Sequence, residues 1–311
     1  MPTYSPTGYV NAVVIRTART LLVEGTSDKS VMKRLVIELR NHRLLNSDNI
    51  LIDTAEEIQN LPGVRLGNRE KVEQIHSQMG GLDKFAALVD REFREFDLTL
   101  PADSAPYHRV IPVNLFWTRG HSLENYFHTF SFVRATLEQQ YPEHLPDNYV
   151  GILSHALPGI IRICATMTLA ALTIQKLDRI RDVKAINYWK LDGAGTAFVD
   201  MPEFHVLLTS RGITPAEVLQ FDQAWAHYAP RLDGMAVEFS QWICHGHLAE
   251  SHVWCGVASL LGHFGMPATT ATQVAWGTRE AQFRSLTECW CESCTAGIGE
   301  WPEDLVNWIK S

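Results

Sequence analysis

The sequence lacks an excess of basic residues. It contains 27 lysines and arginines against 35 aspartates and glutamates, which gives a formal net charge of -8 at pH 7. The charge of the whole chain would therefore repel a polyanion. Any binding of nucleic acid would need a local basic patch, metal ions or a basic partner.

Targeting segments are also missing. The first twenty residues contain Arg16 and Arg19 but neither an uninterrupted apolar core nor a small-residue cleavage site, which argues against a secretory signal. The segment 157–174 approaches the length of a membrane span, but Arg162 lies inside it, and a charge within a span is costly. We therefore expect a buried helix there and a cytoplasmic protein that does not enter a membrane.

The sequence has few cysteines, six in all. Histidines and cysteines cluster in two late segments, which contain Cys244, His245, His247, His252 and Cys255, and Cys289, Cys291 and Cys294. Cys291 and Cys294 have the two-residue gap of zinc sites, but no second pair of this kind occurs and tryptophans surround them. We therefore expect reduced thiols in an apolar core, and we do not expect a structural zinc ion.

No Walker A motif of the form G-x-x-x-x-G-K-[ST] occurs in the sequence. The motif supplies the phosphate-binding loop of P-loop ATPases. The chain is therefore not expected to supply ATPase activity of that type itself.

The first 130 residues do contain a clear pattern, in which short apolar runs alternate with amphipathic segments. This alternation is typical of strands and helices in an α/β layer. Predicted strands occupy 20–25, 49–53, 84–90 and 108–117, and predicted helices follow Ser27 and Asp28, occupy 68–79 and begin again at Ser122. The first helix carries an apolar stripe of Val31, Leu35, Val36 and Leu39. Pro112 inside the fourth strand indicates an edge position or a bulge.

Beyond about residue 129 the pattern changes to long helical segments with few convincing strands. Prolines break this region into pieces, and the stretch 193–195 is expected to be a loop. We predict an α/β domain over 1–129. The region 130–311 is predicted to be mainly helical, either attached to the α/β part or inserted into it, and able to contribute late elements to its core.

Acidic side chains follow two of the predicted strands. Glu24 comes directly after an apolar run, Asp90 comes after another, and Glu92 lies two residues beyond Asp90. Because the carboxyl ends of parallel strands meet at one edge of a sheet, these residues are expected to converge there. Carboxylate oxygens suit Mg²⁺, which commonly keeps several waters and bridges to substrate phosphates. Acids at strand ends also form turns and caps, and the spacing alone leaves both interpretations open.

Three motifs add to this pattern: VEGTSD at 23–28, VDREF at 89–93 and HSLENYF at 121–127. Their order and separation resemble the toprim family, and within it the nuclease effectors of the PARIS anti-phage defence system, which are related to OLD-family toprim nucleases. The resemblance covers roughly the first 130 residues well and the remainder only loosely. It implies a toprim-like (Rossmann-like), mostly parallel sheet flanked by helices.

The resemblance also implies roles for individual residues. Glu24 would be a metal ligand or general acid/base, and Asp90 and Glu92 would hold Mg²⁺, for which Mn²⁺ could substitute. Toprim proteins usually carry aspartate where this chain has Glu92, so Glu92 would bind metal either directly or through water. Glu124, within the third motif, becomes a further candidate catalytic residue, although an acid in the first turn of a helix is its ordinary interpretation.

Four more residues are candidates for substrate binding. Asp28 either belongs to the site or only caps its helix. Lys29 and Arg91 lie beside the proposed ligands and could contact a phosphate, although a solvated basic side chain is the ordinary interpretation of each. His247, or its neighbour His245, could assist phosphate binding or proton transfer.

The resemblance implies a metal-dependent endonuclease that acts as a toxic effector in anti-phage defence. Its substrate would be RNA, specifically host tRNA, and its partner an ABC-type ATPase that holds it silent until a phage protein is sensed. A homodimer is expected for the active state. The alternatives are an inactive toprim-like module that regulates its partner, and a toprim enzyme that acts on DNA.

Overall fold

The computed structural model describes residues 4–46, 49–60, 63, 65–79, 81–98, 113–277, 279–298 and 300–311. The chain divides into two compact units. Unit 1 comprises Met1–Arg91, Pro106–Leu123 and Trp290–Ser311, and unit 2 comprises Glu92–Ala105 and Glu124–Cys289. The predicted domains, 1–129 and 130–311, stay a prediction.

Unit 1 is built on a four-stranded sheet in which all neighbouring strands are parallel. The strands are β1 (Arg19–Val23), β2 (Ile50–Thr54), β3 (Phe85–Val89) and β4 (Leu115–Trp117), in the order β2-β1-β3-β4. Every residue of β3 is buried, as expected of an inner strand of a parallel sheet covered by helices on both faces. The prediction of an α/β protein with a parallel sheet flanked by helices is therefore confirmed.

The register of the sheet aligns the carboxyl ends of its strands. Val23 of β1 is paired with Thr54 of β2, and Val89 of β3 is paired with Trp117 of β4. The residues that follow these strands therefore share one edge of the sheet. β4 lies at the side edge of the sheet, as the proline in its predicted range indicated, but residues 108–112 lie outside the described residues.

In the part of unit 1 that the structure describes, the complete α-helices are α1 (Pro6–Ile15), α2 (Thr26–Asn41), α3 (Asn68–Met79) and α13 (Glu303–Lys310). The predicted apolar stripe of α2 is buried, and α3 has the predicted bounds, with Val72, Ile75 and Met79 buried. The N-cap of α2 is Gly25 rather than Ser27. Asp28, inside the first turn, accepts a hydrogen bond from the Gly25 backbone N–H and supplies the cap.

The end of the described chain is part of unit 1. The indole of Trp308, on α13, donates to the Asp83 carbonyl at 3.1 Å, and the Asn46 N–H donates to the Lys310 carbonyl at 3.1 Å. Leu305 and Ile309 are buried. A helix whose Trp308 lies 225 residues after its partner Asp83 thus completes the packing of unit 1.

The helix predicted to begin at Ser122 is present as a short 3-10 helix, Leu123–Phe127. The following α-helix is α4 (Phe130–Gln140), capped by Thr129. The Asn125 amide, fully buried, donates to the backbone carbonyls of Gln241 and Cys244 at 2.7 and 2.8 Å. The long-range anchor at Asn125 lies inside this short helix, and the cap at Thr129 separates it from α4.

Unit 2 is mainly helical, as predicted for the late part of the chain. Its helices after α4 are α5 (Tyr149–Thr173), α6 (Leu177–Ile180), α7 (Met201–Ser210), α8 (Pro215–Asp233), α9 (Val237–Ile243), α10 (Gly246–His263), α11 (Ala268–Trp276) and most of α12 (Arg279–Ala296). An antiparallel hairpin joins β5 (Trp189–Leu191) to β6 (Ala197–Val199). The predicted loop at 193–195 connects these strands, where the Asp192 carboxylate accepts from the N–H groups of Ala194 and Thr196.

Among the described residues, α5 alone is long and apolar enough to cross a membrane by length and composition. Its most apolar window has a mean hydropathy of 1.5, but 67% of that window is buried inside the protein. The guanidinium of Arg162 donates to the Met235 carbonyl at 3.1 Å. These are the features of a core helix, so the predicted buried helix is confirmed.

The core of unit 2 contains a buried polar network. The Tyr188 hydroxyl lies 2.5 Å from Nδ1 of His252, and Nε2 of His252 lies 3.1 Å from the Ile180 carbonyl. The carbonyl can only accept, so Nε2 carries the ring proton and Nδ1 accepts from the tyrosine. Burial lowers the pKa of His252 to about 4, and the imidazole is therefore neutral at pH 7.

The contact of α10 with α5 makes Gly256 a sensitive position. A Cβ at Gly256 would lie 2.8 Å from Cγ2 of Ile160, whereas a Cβ at Gly262, on the same helix, would lie 3.5 Å from Cβ of Ala271. We expect Gly256→Ala to lower the free energy of unfolding by about 1–3 kcal/mol through overpacking. Gly262→Ala should be neutral or stabilising by up to about 1 kcal/mol, because alanine is the better helix former. Urea unfolding of both variants measures the difference, and equal stability of the two would contradict this packing.

Candidate active-site residues

Glu24 and Asp90 lie together in unit 1. Glu24 directly follows β1 and Asp90 directly follows β3, and these two strands are neighbours in the sheet. Oε1 of Glu24 accepts a hydrogen bond from the Asp90 backbone N–H at 2.8 Å. The structure thus brings together the first two acids of the predicted set, and their role as metal ligands stays a prediction.

The turn between β1 and α2 holds the backbone beside Glu24 in place. The Asp28 carboxylate accepts from the Gly25 N–H at 3.0 Å, which fixes the entry of the chain into the helix. Asp28 therefore has the capping role that was one of its two interpretations. A further role in substrate binding stays a prediction.

Lys29 has an acidic partner. Its ammonium group lies 2.6 Å from Oε1 of Glu57, and the two side chains are 20% and 39% exposed. Such a partly exposed pair contributes little to stability, but it fixes the direction of the lysine side chain. A phosphate contact by Lys29 would have to compete with this ion pair.

The end of β2 adds acids that sequence reasoning missed. Glu56 and Glu57 follow this strand, which lies beside β1. A Cβ built on Gly25 would lie 3.4 Å from Oε1 of Glu56, so the glycine admits that carboxylate close to the turn after Glu24. The sequence contains the pattern that could have identified these acids, because two glutamates follow the predicted second strand within a few residues.

Arg91 is not a solvated basic residue, and that interpretation was wrong. It is 3% exposed. Its backbone N–H donates to Oγ1 of Thr118 at 3.0 Å, and its guanidinium donates to the Arg119 carbonyl at 2.8 Å. Arg91 thereby ties the residues after β3 to those after β4, while its contact with a phosphate stays a prediction.

Glu92 has an unusual backbone conformation. It belongs to unit 2, and its φ of 54° lies in the left-handed region, as does the φ of 62° at Glu95. For residues other than glycine this conformation costs about 1–2 kcal/mol, and such strain is concentrated at functional sites. Asparagine and aspartate tolerate this conformation better than glutamate does.

Glu124 and His247 lie together in unit 2. The side chain of Glu124 is 7% exposed, and its Oε1 lies 3.5 Å from Nε2 of His247, whose side chain is 36% exposed. A buried carboxylate beside a partly exposed imidazole can favour the protonated ring and support proton transfer. The structure therefore juxtaposes two residues that were predicted separately.

Two more histidines accompany this pair. His245 is the N-cap of α10, where its Nδ1 accepts from the Leu248 N–H at 3.4 Å, and burial lowers its pKa to about 4. His128 is 2% exposed, and neither ring nitrogen has a hydrogen-bond partner among the described residues. Burial lowers the pKa of His128 to about 4, against the opposing effect of Glu124. Sequence reasoning missed His128, although it directly follows the motif HSLENYF.

The carboxylate oxygens of Glu24 and Asp90 are the type of ligand that magnesium prefers. Within the described residues, no three His, Cys, Asp or Glu side chains are grouped so that they could hold a metal ion as they stand. Mg²⁺ commonly takes only one or two protein carboxylates and completes its octahedron with water and substrate phosphates. Glu24 and Asp90, on neighbouring strand ends, supply carboxylates of that kind.

All but one of the clustered cysteines have the environment predicted for core thiols. Cys244, Cys255, Cys291 and Cys294 are buried, whereas Cys289 is only partly buried. Burial raises the pKa of both Cys244 and Cys255 to about 12, so these thiols are protonated at pH 7. A protonated, buried thiol is a poor nucleophile and a poor metal ligand.

Comparison of the sequence with models of known protein families gives no match. Comparison with the curated proteins gives no match either.

Proposed function

We propose that the chain is a toprim-like, metal-dependent endonuclease. The observation that supports this best is the position of Glu24 and Asp90 after adjacent parallel strands, joined by the hydrogen bond from the Asp90 N–H to the Glu24 carboxylate. The crevice at the carboxyl ends of such strands is the usual place of ligand binding in open α/β sheets. The resemblance of the three sequence motifs to toprim proteins is the reason for interpreting these two acids as a toprim-like site.

Glu24 and Asp90 would hold Mg²⁺ or Mn²⁺, with Glu92 as a third ligand bound directly or through water. The ion would lower the pKa of a bound water and stabilise charge on the phosphate during hydrolysis. The chain's own contribution is orientation. The Asp90 N–H fixes one oxygen of Glu24, and the cap from Asp28 fixes the backbone beside it.

Glu124 and His247 are proposed as a proton-transfer pair. Their 3.5 Å separation supports this, because a carboxylate can orient an imidazole for proton transfer. Lys29, Arg91 and Asp28 remain candidates for contact with the substrate, although each already makes a structural contact.

We further propose that the substrate is host tRNA and that the protein is a toxic effector of anti-phage defence. It would act in the cytoplasm as a homodimer after release from an ABC-type ATPase. The three motifs support this proposal. The net charge of -8 agrees with a nuclease that needs metal or a partner to approach RNA.

Cleavage assays on the purified chain test the proposal. End-labelled tRNA and duplex DNA are incubated separately with protein and Mg²⁺, Mn²⁺ or a chelator. We expect tRNA cleavage that depends on the divalent ion. Cleavage of DNA alone would favour the alternative DNA nuclease, and binding of tRNA without cleavage would favour the inactive module.

A further inference from the structure

A cavity of about 380 Å³ opens at the amino-terminal edge of the sheet of unit 1. It is lined by Arg19, Asp83, Lys84, Val113, Asn114, Trp308 and Ser311. Arg19 is the first residue of β1, and Lys84 and Asn114 immediately precede β3 and β4. The candidate acids Glu24 and Asp90 follow the opposite ends of the same strands. A five-residue strand is about 16 Å long, so the cavity is separate from them.

The guanidinium of Arg19 lies over an indole ring in this cavity. Its central carbon lies 4.1 Å from the centre of the Trp308 ring, within the range of a cation–π contact. The indole is itself fixed, because its N–H donates to the Asp83 carbonyl. A stacked guanidinium keeps its N–H groups in its own plane, where they can bind an oxyanion with two parallel hydrogen bonds.

Among the described residues, the guanidinium of Arg19 has no acidic partner. No carboxylate of this part of the chain lies within ion-pair distance, in contrast to Arg16, which lies 2.5 Å from Asp53. Partial burial lowers the pKa of Arg19, and no neighbouring charge offsets this effect. A bound anion would offset the unfavourable effect of burial on the charged guanidinium of Arg19.

Of the other polar side chains, Asp83 brings a carboxylate to the lining of the cavity, and Lys84 and Asn114 are already engaged. The Lys84 ammonium donates to the carbonyls of Val14 and Arg16, and the Asn114 amide donates to the Phe85 carbonyl at 3.3 Å. Lys84 therefore contributes positive charge, and Arg19 contributes the N–H groups. A tetrahedral oxyanion suits this combination of a planar donor with a nearby cation.

We propose that this cavity binds a phosphate group through Arg19, as the phosphate of a small ester of nucleotide size or of a nucleic-acid strand. The volume lies within the usual range of small-molecule sites. The proposal does not depend on the proposed nuclease activity, because none of the candidate catalytic residues lines the cavity.

Calorimetric titration without divalent ions tests the proposal. The probes are inorganic phosphate, adenosine 5′-monophosphate, adenosine and a short RNA that lacks a terminal phosphate. We expect saturable binding of inorganic phosphate and of the monophosphate, and none of adenosine. Arg19→Gln should weaken binding at least about tenfold, because two charge-assisted hydrogen bonds are lost. Arg19→Lys, which keeps the charge but not the planar pair of donors, should bind with intermediate affinity.

Two control variants complete the experiment. Arg284→Gln removes an exposed arginine paired with Glu280 and should leave binding unchanged. Glu24→Gln should also leave binding unchanged, which separates this proposal from the proposed nuclease. Arg19-dependent binding of the RNA would identify a strand as the source of the phosphate. The proposal is overturned if the wild-type chain binds none of the phosphate-bearing probes, or if folded Arg19→Gln and Arg19→Lys bind them as tightly as the wild type.

Discussion

Glu24→Gln is expected to reduce metal-dependent cleavage of tRNA by about 10²–10⁴-fold, the range measured for loss of an acid/base group. The substitution removes the negative charge that would hold the metal. It preserves the hydrogen bond between the two strand ends, because an amide oxygen can accept from the Asp90 N–H as the Glu24 carboxylate does at 2.8 Å. The loss of activity should therefore occur without loss of the fold.

Initial rates with labelled tRNA at saturating Mg²⁺ measure the effect, and urea unfolding measures stability in parallel. Glu303→Gln is the matched control, since Glu303 is an exposed residue in the first turn of α13. Glu92→Asp should retain cleavage, because aspartate keeps a carboxylate and tolerates the backbone at φ 54°. Cleavage at wild-type rates by a folded Glu24→Gln protein would refute the catalytic assignment.

The sequence predicted the sheet of unit 1 because its strands and helices are defined by local patterns. β3 is a continuous apolar run buried at every position, and α3 has apolar residues at helical spacing. In such elements the pattern of burial and the intrinsic periodicity agree, so a short stretch of sequence determines the element.

Elements that depend on distant contacts were not predictable in the same way. The 3-10 helix at Leu123–Phe127 is anchored through Asn125 to carbonyls 116 and 119 residues away. The packing of α13 in unit 1 depends on the Trp308 indole, whose partner Asp83 is 225 residues away. No local pattern contains this information.

The candidate site was predictable to the extent that it follows strand ends. Glu24 and Asp90 were found because each comes directly after an apolar run. Glu56 was missed because its approach to Gly25 depends on the turn after β2, which places it beside β1. Arg91 was misinterpreted because arginine is usually exposed, whereas here the buried guanidinium donates to the Arg119 carbonyl.

Unit 2 is expected to lose stability steeply as the pH falls from 6.5 to 4. His128, His245 and His252 are buried there, and burial lowers the pKa of each from 6.5 to about 4. In the unfolded chain the same histidines would titrate near their ordinary pKa of about 6.5. Between these values the unfolded chain binds more protons than the folded protein, so the free energy of unfolding falls as the pH falls.

The expected loss is large. One pKa unit corresponds to about 1.4 kcal/mol, so each histidine contributes about 3 kcal/mol when its titration is complete. Three such residues together approach the total stability of a typical domain, about 5–15 kcal/mol. The exposed carboxylates of Asp192 and Glu217 have lowered pKa values as well, and their contribution is lost only at still lower pH.

Urea unfolding followed by circular dichroism at pH 7.5, 6.5, 5.5 and 4.5 measures this dependence, and the slope gives the number of protons taken up on unfolding. His128→Leu should make the slope shallower by up to one proton without lowering stability at pH 7.5, because neither nitrogen of His128 has a hydrogen-bond partner among the described residues. His155→Asn, at an exposed position, should leave the slope unchanged. If the free energy of unfolding is the same at pH 6.5 and pH 4.5, the three imidazoles must be able to accept protons in the folded protein, and their burial cannot be as described.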